Sequence, residues 1–190
     1  MRVISLLLVA AALPAQTFFP PGLLDPQAQR YSEFLKALHE PSLWELSQHD
    51  SKAEAYRFFW LRTFDHPVAI RLVVRPSGSG WVNLRVTTGQ GGYAHGRISR
   101  YSVSWATKAK TQSWIAAFDR AGFWGLPTLP PPDDAIRLDG AQWIFEAVKN
   151  GQYHVVDRRS PDPGDPVRTL GIDGLQLVRH HLRLRAGEIY

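Results

Sequence analysis

Residues 141–159 read AQWIFEAVKNGQYHVVDRR, and the Asn150-Gly151 pair inside them decides how the rest of the chain is read. Two apolar-rich runs, 141–149 and 152–158, flank a dipeptide suited to a type I′ turn, in which both central residues need φ > 0. A two-residue turn fixes the register of the hairpin. Val148 faces Tyr153, Glu146 faces Val155, Ile144 faces Asp157 and Trp143 faces Arg158. Opposed residues share a face. One side therefore carries Gln142, Ile144, Glu146, Val148, Tyr153, Val155, Asp157 and Arg159. The other carries Trp143, Phe145, Ala147, Lys149, Gln152, His154, Val156 and Arg158.

Upstream of the hairpin the pattern is again of strands. Tyr56 to Phe64 is aromatic and β-rich, and His66-Pro67 breaks it. Val68, Ile70, Leu72 and Val74 alternate with a mixed face, as do Val82, Leu84 and Val86 beyond the Pro76–Gly80 turn. A Gly-rich loop at 89–96 leads to a fourth strand from about Arg97 to Trp105. A helix follows over about 109–121, with Trp114, Phe118 and Ala121 on one face. Gly122 suits its left-handed end, and Phe123 is placed to pack on Phe118. The prolines of 127–134 require a linker or surface loop.

Outside this block, Tyr31, Phe34, Leu35 and Leu38 have helical spacing, Pro41 ends that helix, and a short second one is expected around Leu43, Trp44 and Leu46. A last helix after SPDPGDP is expected to present Ile172, Leu175, Val178 and Leu182 as its apolar stripe, with Arg168, Arg179, Arg183 and Arg185 among its charges. The class is α+β: an antiparallel meander sheet of about six strands, with an inserted helix and a C-terminal helix packed on it. No βαβ alternation supports a parallel nucleotide-binding sheet. Residues 16–53 form an N-terminal extension with helices, continuous with the α+β domain of 54–190.

The first residues predict an address. Arg2, an apolar run from Val3 to Leu13 broken by Ser5, and Leu13-Pro14-Ala15 have the order of a signal peptide spanning 1–15, cleaved after Ala15. About 11 apolar residues fall short of the roughly 20 that span a bilayer. The expectation is an exported bacterial protein, periplasmic or extracellular, without a membrane span. There is no cysteine, which excludes disulfides, a lipidated Cys and thiol chemistry. With 44% hydrophobic residues and seven tryptophans, the chain can bury a core without such staples. Its 22 basic and 17 acidic residues give a net charge of +5 with no dense Lys/Arg block, so no nucleic-acid partner is expected.

Motifs for chemistry are mostly lacking. Gly89–Gly96 has no Gly-Lys-Ser/Thr ending of a phosphate loop and joins two strands, so a flexible connection is expected. Gly78-Ser79-Gly80 lacks the spacing of a nucleophile elbow. The seven histidines form no compact ligand pattern, so neither a metal nor another cofactor is expected. The hairpin is the most chemically loaded segment. Glu146 and Asp157 are diagonal neighbours with Cβ atoms roughly 7 Å apart, a separation open to glycosidase chemistry or to a structural network with Arg159 or another arginine. Trp143 and Arg158 are suited to a cation–π contact.

Three segments, Tyr56–Arg62 (YRFFWLR), Leu138–Trp143 (LDGAQW) and Tyr153–Pro161 (YHVVDRRSP), resemble an uncharacterised family of exported bacterial proteins, over about residues 54–161. This chain has Arg159 where that family has a tryptophan. The resemblance implies a bacterial envelope address and assigns no catalytic residue. The resulting expectation is a non-catalytic envelope protein that binds a ligand or an envelope partner through Trp143, Glu146, Tyr153, His154, Asp157 and Arg158. The alternative is a cell-envelope glycan hydrolase using Glu146 and Asp157.

Overall fold

A computed structural model of the chain describes residues 17–131 and 139–182. The expected signal peptide therefore lies outside the described residues, as do part of the proline-rich loop and Arg183 and Arg185. Helices α1 (Ala28–Ala37) and α2 (Leu43–His49) precede strands β1 (Ala55–Arg62), β2 (Val68–Val74), β3 (Gly80–Thr87) and β4 (Ile98–Ala106). Helix α3 (Lys108–Arg120) and a 3₁₀ turn at Phe123–Gly125 lead to β5 (Ala141–Lys149), β6 (Gln152–Arg159) and α4 (Pro166–Leu177). The strands form one antiparallel sheet in the order β4-β3-β2-β1-β5-β6.

The α+β meander does not run in a single direction. Strands β1 to β4 grow outward one way, and the β5–β6 hairpin joins the other side of β1. That makes β1 central, and all eight of its residues are buried. Burial on both faces explains why AYRFFWLR shows no polar alternation. Tyr56, Phe58 and Trp60 pack under α3 and α4, where the Phe58 and Phe145 rings stack 4.6 Å apart and Trp60 lies 5.7 Å from Trp143. Each ring buried in this way contributes roughly 1.5–3 kcal/mol.

Local signals place the helices on that face. Gly122 takes φ 64° after α3, its N–H donates to Asp119 O, and Phe123 packs 4.9 Å from Phe118 as the sequence predicts. In α4, Asp165 caps the first turn by accepting from Val167 N, with Pro166 at the first helical position. Of the expected α4 stripe, Leu175, Val178 and Leu182 are buried in the core and only Ile172 is not. The helix ends at Leu177, so Val178 and Leu182 are buried beyond it, and Ile172 is only half-buried. Within the helix, Val167, Leu170, Gly171 and Gly174 are buried beside Leu175. The two glycines decide this. A Cβ at Gly171 would lie 2.2 Å from Trp143 Cζ3, and one at Gly174 would lie 3.1 Å from Trp114 Cζ2, so the absent side chains let the helix settle on two indoles.

The other face is covered by the N-terminal region. Phe18, Phe19 and Leu24 join Tyr31, Phe34, Leu35 and Leu38 of α1 against Phe59, Leu61, Ile144 and Val155. Ser42 caps α2, its hydroxyl accepting from Glu45 N at 3.0 Å. Between the helices, His39 adopts φ 53°, with His39 N donating to Lys36 O and Glu40 N to Leu35 O. This is a Schellman end that turns Glu40 inward onto the sheet.

Candidate functional site

The hairpin forms in the expected register: Trp143 opposes Arg158, Ile144 opposes Asp157 and Glu146 opposes Val155. Asn150 and Gly151 have φ of 53° and 73°, both left-handed as a type I′ turn requires. Because helices cover both faces of the sheet, the six candidate residues do not form one surface. Glu146, Tyr153 and Asp157 lie toward α1 and α2, while Trp143, His154 and Arg158 lie toward the other side. Trp143 and Glu146 are wholly buried and present nothing to solvent, a correction that a hairpin pattern alone could not supply.

Glu146 belongs to a buried ionic network. Arg57 Nε and Nη2 both donate to its Oε2, at 2.7 and 2.5 Å, and Tyr153 OH donates to Oε1 at 2.9 Å. Arg57 Nη1 also donates to Pro41 O at 2.7 Å and lies 3.4 Å from Glu40. Glu40 is shared further with Arg71 at 2.7 Å and Arg85 at 3.3 Å. Burial pushes the Glu146 carboxyl above its usual range, against the pull of Arg57 and Tyr153. Burial also opposes the Arg57 charge, but Glu146 and Glu40 outweigh it and hold that pKa above the usual arginine value. The arginine partner anticipated for Glu146 is thus Arg57, from the adjacent strand.

The residues on the opposite face have structural partners. His154 donates from Nε2 to Leu126 O at 2.9 Å, and burial lowers its pKa, so the ring is neutral at pH 7. Arg158 donates to Thr128 O and Pro127 O at 3.0 and 2.8 Å. The cation over the Trp143 ring is Arg168, 5.7 Å from its centroid.

Asp157 has a different setting. Its Oδ2 accepts from Tyr31 OH at 2.8 Å and its Oδ1 from Gln142 Nε2 at 2.9 Å, and that amide also reaches Tyr31 OH at 3.0 Å. The carboxyl lines a cleft of about 490 Å³ where the ends of β1, β5 and β6 meet α1 and the Gly-rich loop. Gln27, Arg30, Tyr93, Gln142 and Arg159 supply other polar walls. Burial raises the Asp157 pKa to about 6, against the donors of Tyr31 and Gln142 and the charges of Arg158 and Arg30. It is a carboxyl that changes charge near neutrality at the bottom of an open, arginine-flanked cleft.

The Gly-rich loop shapes one wall, and it is pinned rather than free. Gly91 N donates to Asp65 O and Gly92 N to Thr63 O, at 3.0 and 2.9 Å, and Arg30 donates to Gly91 O. A Cβ at Gly91 would lie 2.5 Å from Arg62 O, which explains the glycine. Sequence reasoning missed Tyr31, Arg30 and Tyr93 as site residues. The clue in the sequence was the polar pair Gln142 and Asp157 on one hairpin face beside a Gly-rich loop. No helix of the described residues is long and apolar enough to cross a membrane. No protein-family model and no curated protein matches the chain.

Proposed function

We propose that the chain is an exported bacterial envelope protein that binds a small polar ligand in the Asp157 cleft without transforming it. The observation that carries this reading is the cleft itself. Its volume of about 490 Å³ falls within the roughly 300–1,000 Å³ of small-molecule sites, and it sets one carboxyl among arginines, an amide and a tyrosine. Such a lining suits a ligand that offers both hydroxyl or amino donors and an anionic group. The export half rests on the charge, apolar run and small-residue order of residues 2–15.

The competing reading is a cell-envelope glycan hydrolase using Glu146 and Asp157. It draws support from Asp157, whose raised pKa suits a general acid. Against it, Glu146 does not line the cleft, and its oxygens already bond Arg57 and Tyr153.

Thermal shift of the mature protein against a panel of polar metabolites and envelope glycan fragments, with turnover assayed alongside, tests the choice. The expected result is a stabilising ligand whose effect is lost in Asp157→Asn and Arg30→Ala but kept in Arg120→Ala, remote from the cleft. Turnover by the wild type that vanishes in Asp157→Asn would overturn non-catalytic binding. Cell-derived protein is expected to begin near Gln16, and an intact Met1 terminus would sink the address.

A further inference from the structure

The floor of the Asp157 cleft spends every proton it has. Tyr31 owns one hydroxyl proton and gives it to Asp157 Oδ2 at 2.8 Å. The Gln142 amide owns two, and gives one to Asp157 Oδ1 at 2.9 Å and the other to Tyr31 OH at 3.0 Å. What is left to face the cleft is acceptors only, the second lone pairs of an ionised carboxylate and the Gln142 carbonyl. Tyr31 keeps its proton throughout, because burial and then the neighbouring Asp157 hold its pKa far above the usual phenol value. A ligand group resting on this floor is therefore a donor. A cationic donor fits best, since the hydrogen bonds to Asp157 come from uncharged groups alone, whereas Glu146 is bonded by Arg57. Ionised, Asp157 is a buried charge that still lacks a bonded cation.

The walls have the opposite character. Arg30 lies over the Phe34 ring at 5.4 Å and donates one guanidinium proton to Gly91 O, out of the five such a group carries. Arg159, two residues beyond Asp157 on the same face of β6, lines the cleft as well. The other groups around Asp157 do not upset this division. Arg158 is bonded to the carbonyls of Pro127 and Thr128, Glu146 on the same hairpin face is bonded to Arg57 and Tyr153, and Tyr93 is a phenol on the Gly-rich loop. One molecule thus meets an anionic floor and a cationic wall within a volume of about 490 Å³, room enough for a short peptide.

We propose that the cleft takes a free amino acid or a short peptide with free ends, its ammonium on Asp157 and its carboxylate on the Arg30 wall, and that protonation of Asp157 releases it. This rests on the cleft being a ligand site and adds the class of ligand and the means of its release. An α-amino group is largely charged at pH 7, so it supplies both the donors and the cation that the floor lacks. A proton on Asp157 removes the negative charge and converts one acceptor into a donor aimed at the ammonium. With the Asp157 pKa near 6, capture is strong above about pH 7 and weak below about pH 5. Because the ligand favours the ionised carboxyl, its binding near pH 6 expels a proton.

The test is titration calorimetry of the purified chain with alanine, dialanine and trialanine, and with N-acetyl-trialanine and trialaninamide. At pH 7 at least one of the three free-ended compounds is expected to bind, and the two blocked peptides to bind roughly tenfold more weakly or worse. At pH 4.5 the free-ended ligand should also weaken by roughly tenfold or more. Near pH 6, buffers of different ionisation enthalpy should report release of about half a proton per ligand bound. Asp157→Asn, its folding checked by melting temperature, should lose both binding and proton release. Arg30→Ala should bring the free peptide down to the affinity of the amide. Affinity that is the same at pH 7 and pH 4.5, or full binding of the acetylated peptide, would overturn the proposal. So would failure of all three free-ended compounds. If another polar metabolite then stabilises the chain through Asp157 and Arg30, the cleft keeps a ligand and loses this class, whereas silence of every compound ends both readings.

Discussion

Arg57 donates twice to a single oxygen of Glu146, from Nε at 2.7 Å and Nη2 at 2.5 Å, with both side chains wholly removed from solvent. A buried pair of this kind adds little net stability over an apolar pair of similar volume, yet it is costly to halve. Arg57→Met leaves the Glu146 and Glu40 carboxylates short of a cation and is expected to cost about 3–5 kcal/mol in urea unfolding. The double variant Arg57→Met/Glu146→Leu should be more stable than Arg57→Met alone. Additive losses would mean the two side chains are not coupled.

Asp157 makes stability depend on pH in a defined direction. Its pKa rises from 3.8 to about 6 on folding, so the group favours the fold fully below about pH 4 and loses that contribution as pH climbs through 6. Ionising it inside the fold costs on the order of 3 kcal/mol. Melting temperature of Asp157→Asn relative to wild type should therefore increase between pH 4 and pH 7 and level off above. A difference that stays flat across that window would contradict the assignment.

The hairpin turn can be tested without touching any packed surface. Gly151 has φ 73°, and the nearest atom to an added Cβ is Ser51 Cβ at 3.7 Å, so space is not limiting there. Gly151→Val should cost about 1–2 kcal/mol through backbone strain alone, while Gly151→Asn, tolerant of φ > 0, should cost less. Equal melting temperatures for Val and Asn would remove the left-handed turn.

At Gly171 the limit is space instead. The residue faces Trp143 so closely that Gly171→Ala must move α4 or the indole, and a loss of about 1–3 kcal/mol is expected despite the better helix propensity of alanine. Tryptophan fluorescence should change with it. A variant more stable than wild type would show that the helix does not rest on Trp143 in solution.

Local chemistry accounts for what the sequence made legible. Asn150-Gly151 set the hairpin register, alternation marked β2 and β3, and Gly122 with Phe123 ended α3 as expected. What stayed hidden was long-range. Glu146 and Arg57 are 89 residues apart, and Tyr31 reaches Asp157 across 126. No periodicity encodes such pairings. The aromatic run of β1, without alternation, was a usable hint that both faces are covered, and it implied that part of the hairpin would be interior. Leu175, Val178 and Leu182 of the expected α4 stripe are buried, but Gly171 and Gly174 were not legible as part of it, because glycines carry no hydrophobic signal although their smallness is what brings that helix down.

The order in which the chain is made runs against the order in which its second face can close. Phe18, Phe19 and α1 are synthesised early, but they rest on Ile144, Val155 and Asp157, which come more than a hundred residues later. Until the hairpin exists, the apolar rings of the first turns have only the Phe59 and Leu61 part of their floor, and Arg57 lacks the second carboxylate that completes its network. A nascent chain of this design stays open along one side until nearly its whole length is available. An unfinished copy would thus expose aromatic surface to whatever machinery handles incomplete proteins.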